Sequence, residues 1–353
     1  MSGQLTRRQA MQAIGVSAAG VTAAQLLAQT EQPAAGTTPS SRLESMPSLK
    51  RKRTARIAHL TDVHVEPELR AADGMTECLH HLQSAPEPPS LILFGGDCVF
   101  DSFDADDARA KTQWDLWKLA LKNECSIPYK ACIGNHDVWG WNKIKSGASG
   151  QEANFGKQRA IDMLELPGRA YSFVYAGWHF FVLDSTQPRS DEQPGYVAGV
   201  DDEQFAWLQQ ALAGTPKNVP VLVLSHIPIL SASAVLWATR APDTNDYVIA
   251  PSLIHQDAVK LKELFAQHPN VKLCMSGHLH LVDRVDYNGV SYLCNGAVSG
   301  NWWKGRHKDC DEGYAIIDLF DDGSFEHEYV TYGWKAEPPP AATMPAEGAS
   351  PGN

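Results

Sequence analysis

Five short apolar runs along the chain each lead into polar residues rich in Asp, Asn or His. The runs lie at 56–60, 91–94, 131–133, 221–224 and 271–275, and their length and composition are typical of buried strands. The polar residues after them lie at 62–64, 95–97, 134–137, 226 and 277–280. Because ligands of open α/β sheets collect beyond the carboxyl ends of the strands, we expect these side chains to form one site.

Helix-like segments lie between the strand runs, and the alternation predicts an α/β fold. They occupy 111–122, 156–166, a segment opened by Asp201, and 252–267. Asp201 and Ser252 stand where a helix N-cap is expected. After Gly277 the pattern changes to closely spaced strands at 290–294, 314–320 and 325–330, the last two joined by a hairpin turn at 321–323.

The composition describes a chain with a substantial core and an acidic surface. Its 353 residues are 43% hydrophobic and 20% charged, which permits one large domain or two small ones, and one catalytic domain at 56–334 is expected. Residues 1–55 hold seven Lys and Arg against two Asp and Glu, which leaves 39 acidic against 23 basic residues in the remainder, or −16. Such a surface repels nucleic acid backbones, so no nucleic acid polymer is expected as a partner.

Residues 1–28 resemble a bacterial twin-arginine signal segment. Arg7 and Arg8 precede an Ala-rich run at 13–28 that is too short and too rich in small residues for a stable membrane span. The expectation is therefore export by the twin-arginine machinery to the periplasm or the outside of a bacterial cell, with an ordinary amphipathic or disordered tail as the alternative. Residues 29–55 are predicted to be a flexible linker, and 335–353 a disordered tail rich in Pro and Ala.

The seven cysteines do not have the spacing of a zinc or redox site. Four of them, Cys98, Cys132, Cys274 and Cys294, lie in or beside apolar runs, where a free thiol behaves as a small hydrophobic residue. Most cysteines are therefore expected to be buried and free. A pair between Cys294 and Cys310 is left open.

The polar motifs, taken together, resemble those of the calcineurin-like metallophosphoesterase superfamily. Their order is Asp-x-His at 62–64, Gly-Asp at 96–97, Gly-Asn-His-Asp at 134–137, a lone His at 226 and Gly-His-x-His at 277–280. The pattern is most similar to that of the cyclic nucleotide phosphodiesterase (class III) branch. The resemblance covers residues 56–333 and implies a four-layer α/β/β/α sandwich, in which two mixed sheets are flanked by helices.

The resemblance also implies a site for two transition metal ions as cofactors. It assigns the first metal to Asp62, His64, Asp97 and His280, and the second to Asp97, Asn135, His226 and His278. Carboxylate, amide and imidazole groups suit Fe, Mn or Zn. In this family pattern a hydroxide that bridges the metals attacks the phosphorus atom.

Two further residues are expected to take part in catalysis, His136 and Asp137. The resemblance implies that His136 protonates the departing alkoxide as a general acid. Many relatives carry a second Asp three residues after the bridging one, but Phe100 stands at that position here, which leaves Asp101 or Asp137 to orient His136. Purple acid phosphatases place a metal-binding Tyr at this position. Because Phe100 cannot bind a metal, a purple charge-transfer colour is not expected of this chain.

The expected substrate is a small phosphoester, with a diester such as a cyclic nucleotide favoured. Two tryptophan-rich segments, 139–143 and 301–304, are interpreted either as walls of a pocket that stacks a base or as loops that pack together. An exported phosphomonoesterase is the alternative function, and a non-catalytic binding module on the same fold is a rival of another class. The sequence leaves the oligomeric state open.

Overall fold

The computed structural model describes residues 51–189 and 194–337, and a five-stranded sheet forms the first half of its framework. Strands are numbered along the chain. This sheet contains β1 (Arg53–Leu60), β2 (Leu91–Phe94), β3 (Tyr129–Ala131), β14 (Gly313–Phe320) and β15 (Phe325–Thr331), in the order β15-β14-β1-β2-β3. The pairs β1–β2 and β2–β3 are parallel, whereas β14 is antiparallel to both β1 and β15. The sheet is therefore mixed.

A six-stranded sheet forms the second half. It contains β4 (Tyr171–Tyr175), β5 (Trp178–Leu183), β8 (Val221–Ser225), β11 (Val271–Ser276), β12 (Asp283–Tyr287) and β13 (Val290–Cys294), in the order β12-β13-β11-β8-β5-β4. The four central strands are parallel and both edge strands are antiparallel to their neighbours. Two small hairpins are formed by β6 (Thr186–Pro188) with β7 (Tyr196–Ala198) and by β9 (Thr239–Arg240) with β10 (Tyr247–Val248).

The helices differ from the sequence-based expectation in several places, among them a short helix at Lys143–Ser146 that was not predicted. They are α1 (Ala71–Gln83), α2 (Asp107–Glu124), α3 (Lys143–Ser146), α4 (Lys157–Met163), α5 (Asp202–Gly214) and α6 (Ala258–Ala266), with a 3₁₀ turn at Ser233–Trp237. The expected N-cap of α5 is confirmed, since the Asp201 side chain accepts a hydrogen bond from the Gln204 N–H. Helix α1 was not predicted, and α6 begins well after Ser252 because tertiary hydrogen bonds hold His255 to Ser225 and Asp257 to Val200.

Alternate residues of each central strand face different layers. In β2, Leu91 and Leu93 belong to the apolar cluster between the sheets, whereas Ile92 and Phe94 pack with side chains of α1 and α2. The strand β8 alternates in the same way between the other sheet and the pair α5 and α6. The predicted four-layer α/β/β/α sandwich is therefore confirmed.

All seven cysteines are free, and six of them are buried. The disulfide between Cys294 and Cys310 that the sequence left open is not formed. In the part of the chain that the structure describes, no helix is both long enough and apolar enough to cross a bilayer. The predicted signal segment 1–28, the linker up to residue 50 and the tail from residue 338 lie outside the described residues, and β1 already begins at Arg53.

Candidate metal centre

The structure brings all seven expected metal ligands together at the carboxyl ends of parallel strands. Asp62 and His64 follow β1, Asp97 follows β2, Asn135 lies after β3, His226 follows β8, and His278 and His280 lie after β11. All of these residues are buried except His278, which is half-buried. The apolar runs fix the positions of the strands, and the strand ends in turn fix the positions of the ligands.

Five of these ligands have a backbone conformation that is unusual for residues other than glycine. Their φ angles lie between 49° and 70°, and they are Asp62, His64, Asp97, His278 and His280. Such a conformation costs on the order of 1–3 kcal/mol per residue and is concentrated at functional sites. Neighbouring loops hold it in place, since the N–H groups of Asp62 and His64 donate to the carbonyl oxygens of Gly96 and Asp97 (both 3.0 Å).

Two glycines of the motifs are required because other groups approach them closely. A Cβ atom at Gly134 would lie 2.1 Å from both the amide nitrogen and Oδ1 of Asp97. At Gly277 it would lie 2.0 Å from the Thr61 hydroxyl oxygen and 2.2 Å from Asp62 Oδ2. Any side chain at either position would displace a carboxylate of the site.

The first group of ligand atoms consists of Asp62 Oδ1, His64 Nε2 and His280 Nε2. The two imidazole nitrogens face each other at 3.2 Å, and Asp62 Oδ1 lies 3.3 Å from His280 Nε2 and 3.9 Å from His64 Nε2. The other oxygen of Asp62 accepts hydrogen bonds from the Thr61 hydroxyl (2.6 Å) and the His278 N–H (2.9 Å). Oδ1 itself has no hydrogen-bond partner among the described residues, so three electron-pair donors converge on one point.

The second group is arranged around Asp97 Oδ2. His226 Nε2 lies 3.2 Å from this oxygen and 3.1 Å from Asn135 Oδ1, and His278 offers a further ring nitrogen within 4.8 Å of the ligand atoms of Asp97 and His226. Asp97 Oδ2 also lies 3.8 Å from His64 Nε2. The two groups therefore meet at Asp97.

Carbonyl oxygens behind the site determine the tautomers of two histidines. His226 Nδ1 lies 2.8 Å from the Gly95 oxygen, and His280 Nδ1 lies 2.6 Å from the Gly300 oxygen. Because a carbonyl can only accept, each Nδ1 carries the proton and donates it. In its neutral form each ring therefore presents the lone pair of Nε2 to the site, which is the usual arrangement behind a metal-binding histidine.

The electrostatics of the pocket favour a positive charge. Burial lowers the pKa of His278 to about 3 and that of His64 well below its ordinary value, so both rings are neutral. Although burial opposes ionisation of Asp97, the neighbouring His226 and His136 hold its pKa well below the usual range. His226 is also buried, yet Asp97 raises its pKa to about 9, so this ring is protonated at neutral pH, and a bound cation would replace the Nε2 proton that faces Asp97. Metal ions bind neutral imidazoles and ionised carboxylates, so the donor set of this pocket suits cations.

His136 lies beside both ligand groups. Its ring packs edge-on against His64, with 4.8 Å between the centroids, and its backbone N–H donates to Asp97 Oδ1 (2.8 Å). A ring nitrogen of His136 lies within 4.8 Å of the ligand atoms of His64 and Asp97. Its Nδ1 has no hydrogen-bond partner in the described part of the chain.

Neither carboxylate expected to orient His136 hydrogen-bonds its ring. Asp137 is fully buried and accepts from the N–H groups of Cys98 (2.8 Å), Val99 (3.3 Å) and Gly134 (2.9 Å). The carboxylate of Asp101 accepts instead from the Asp104 N–H (3.0 Å). Asp137 therefore joins the loop that carries Asp97 to the loop that carries Asn135, and it touches the site only through the backbone.

Aromatic side chains surround the ligands. Trp302 packs on His280 with 4.4 Å between the centroids, Tyr196 lies 6.3 Å from His278, and Phe100 lies 6.5 Å from His64. Trp139 and Trp303 of the two tryptophan-rich segments are instead buried as packing residues. Tyr196 was not among the predicted site residues, because the small hairpin that carries it belongs to neither large sheet and its local sequence pattern gives no signal.

This fold and this ligand arrangement define a metallophosphoesterase. The chain belongs to the calcineurin-like phosphoesterase family, whose model matches residues 55–282, and the predicted family resemblance is thereby confirmed.

Individual relatives agree with this assignment. The chain is 26% identical to a probable cyclic nucleotide phosphodiesterase of Synechococcus sp., over 64% of this chain and 74% of the relative. It is 24% identical to a 3′,5′-cyclic-nucleotide phosphodiesterase of Nostoc sp., over 80% and 95% of the respective lengths. A solved dimetal phosphatase from Danio rerio has the same fold, with a TM-score of 0.52 and 15% identity over 80% of this chain and all of that one.

Proposed function

We propose that this protein is a dinuclear-metal phosphoester hydrolase that cleaves a small phosphodiester. The observation that carries the proposal is the pair of ligand groups that meet at Asp97, since one carboxylate oxygen faces histidines of both groups. Two ions of Fe, Mn or Zn suit this mixture of carboxylate, amide and imidazole donors. The first ion would be held by Asp62, His64, Asp97 and His280, and the second by Asp97, Asn135, His226 and His278.

The bound ions would supply Lewis acidity, since two metals about 3.5–4 Å apart acidify water and neutralise phosphate oxygens. The chain's own residues would orient the substrate and donate a proton. His136 is half-buried next to His64 and Asp97, within reach of a phosphate bound between the ligand groups, and would protonate the departing alkoxide. Phe100, at the position where many relatives have a carboxylate, contributes an apolar wall beside His64.

The surroundings of the ligands favour a diester over a monoester. A diester carries one negative charge and two organic groups, whereas a monoester dianion gains more from additional cations. The side chains that contact the ligand rings include Phe100, Tyr196 and Trp302. Two cationic side chains of the neighbouring loops have other contacts, since Arg306 pairs with Asp311 and Lys143 lies over the ring of Phe155. His307 does meet the His280 ring edge-on at 5.8 Å, but burial lowers its pKa to about 4, so it is neutral. The names of the cyanobacterial relatives support the same choice.

Paired hydrolysis assays test this proposal. The purified protein is reconstituted with Mn²⁺ and given bis(p-nitrophenyl) phosphate and p-nitrophenyl phosphate at equal concentrations. Faster release from the diester is expected, with loss of both activities in Asn135→Ala. Faster release from the monoester would replace the proposal by a phosphomonoesterase. Hydrolysis of neither compound by protein with full metal content would point to a restricted natural substrate, whereas protein that binds no metal and hydrolyses neither compound would be a binding module.

We also propose export through the twin-arginine route, which Arg7, Arg8 and the Ala-rich run at 13–28 support. Replacing both arginines by lysine is expected to keep the protein in the cytoplasm of an expressing bacterium, whereas the unchanged chain is expected in the periplasmic fraction. Equal distribution of the two forms would contradict this route.

A further inference from the structure

The loop at 297–305, here called the tryptophan loop, is fastened to the loop that carries Asp62 and His64. The N–H of Val298 donates to the backbone carbonyl oxygen of Thr61 (3.0 Å), and the Ser299 hydroxyl donates to the backbone carbonyl oxygen of Asp62 (2.7 Å). The indole N–H of Trp303 donates to the His64 oxygen (2.9 Å). The tryptophan loop therefore has a fixed position relative to the first ligand group.

Adjacent tryptophans in this loop have different environments. Trp302 and Trp303 both have positive φ angles, 48° and 66°, which is unusual for bulky side chains. Trp303 is buried, packs edge-on against Trp334 at 5.5 Å and covers Gly74, where a Cβ atom would lie 2.1 Å from the indole. Trp303 thus anchors the loop, and the positive φ angles direct the side chain of Trp302 away from that of Trp303.

Trp302 lies over the metal centre. Its ring centroid is 4.4 Å from that of His280 and 5.7 Å from that of His64, with tilts of 34° and 48°. The side chain is half-buried. His307 meets the Trp302 ring edge-on at 5.9 Å and is itself stacked on Trp237 at 5.1 Å. The Trp302 ring is therefore held in place by its aromatic neighbours beside the site, while part of the side chain stays exposed.

We propose that Trp302 is the platform on which the planar heteroaromatic base of a nucleoside phosphodiester stacks while its phosphate lies between the ligand groups. This inference rests on the proposed function and narrows the substrate class from small diesters to those with a base. An aromatic side chain accepts any base, because stacking uses the π-face rather than base-specific hydrogen bonds. Trp302 therefore selects for a base without selecting which one.

Equilibrium binding measures the platform separately from catalysis. The metal-loaded protein is titrated with a hydrolysis-resistant adenosine 3′,5′-cyclic phosphorothioate, with a cyclohexyl phosphodiester and with inorganic phosphate, and affinity is measured by calorimetry. For Trp302→Ala we expect about 5- to 150-fold weaker binding of the nucleotide analogue, with affinity for the other two ligands and metal content unchanged. Trp302→Phe should keep most of the affinity, since it retains an aromatic face.

Trp207→Ala is the matched control, because Trp207 is half-buried on α5 and packs against Phe181. It should bind the analogue as the unchanged protein does. Unchanged nucleotide affinity in Trp302→Ala, or an equal loss for the nucleotide and phosphate, would overturn the platform, and so would an equal loss for the nucleotide and cyclohexyl ligands. Protein that binds the analogue through Trp302 but hydrolyses no phosphoester would overturn the proposed function alone.

Discussion

Replacing Asp137 by asparagine is expected to destabilise the loops that carry the metal ligands rather than to act through the His136 ring. The buried carboxylate accepts three backbone hydrogen bonds, two at one oxygen from Cys98 and Val99 and one at the other from Gly134. An asparagine retains one acceptor oxygen, but its NH₂ group must face an N–H that now lacks an acceptor. The predicted consequence is a loss of both stability and metal affinity.

The magnitude follows from these contacts. A hydrogen bond to a charged group contributes about 1.5–3 kcal/mol, and leaving a buried donor unsatisfied costs about 1–3 kcal/mol. Burial and the nearby Asp97 raise the pKa of Asp137 to about 7, so its ionised form carries a cost that the neutral amide avoids. The expected decrease in the free energy of unfolding is therefore about 2 kcal/mol, within the range of about 1–3 kcal/mol that one unsatisfied buried donor costs.

Urea denaturation followed by circular dichroism measures this decrease, and elemental analysis of the same samples measures metal content. The matched control is Asp101→Asn, because that carboxylate accepts from one backbone N–H, that of Asp104, and should lose less stability. If Asp137→Asn kept the stability and metal content of the unchanged protein while turnover fell, Asp137 would act on His136, and the account of it as a tie between loops would be refuted.

Other substitutions test separate parts of the structure. His136→Ala should retain metal and lose about 10²- to 10⁴-fold in turnover, as expected for a general acid, and a loss of bound metal in elemental analysis would contradict that role. Gly277→Ala should lose metal because its Cβ would lie 2.2 Å from Asp62 Oδ2; normal metal content would refute the close packing. Asp318 is buried, but its contact with Arg56 lowers its pKa below the ordinary 3.8. Its stabilising effect should therefore be complete above that value and lost as the pH falls through the lower folded-state pKa. In urea titrations, Asp318→Asn should be less stable than the unchanged protein at neutral pH, and this difference should disappear in acid; a difference independent of pH would contradict the assignment.

The sequence predicts the centre of this fold well because strand position and ligand position are linked. Four of the five apolar runs lie in parallel strands, and the run at 131–133 begins at the last residue of the parallel strand β3. The parallel strands place their carboxyl ends at one edge. A polar residue one to four positions beyond such a strand therefore reaches the site, regardless of the helix that connects one strand to the next. This linkage explains why Asp62, Asp97 and His226 could be brought together from the printed sequence alone.

Features that depend on contacts between distant segments were not predictable in this way. Helix α1 contains Gly74, a weak helix former, and the reason for that glycine is the indole of Trp303, which is far away in the sequence. The local sequence does not distinguish Trp302 from Trp303 either. The distinction arises from two left-handed residues in succession and from one hydrogen bond to the His64 carbonyl.

Tyr196 illustrates the same limit. Its ring reaches His278 from a hairpin of two short strands, and no hydrophobic periodicity marks so short an element. Asp137 was expected to act in catalysis because of its place in the motif, yet its contacts are with backbone N–H groups, which only the folded loops reveal.

The proposed function requires that seven side chains hold two metal ions that share Asp97. Counting bound transition metals per chain in purified protein, by elemental mass spectrometry after reconstitution and removal of excess ion, tests it most directly. Two ions per chain are predicted for the unchanged protein, with one lost or weakened in Asn135→Ala and both in Asp97→Ala. A stoichiometry of one or none in the unchanged protein, or full occupancy in Asp97→Ala, would contradict the account.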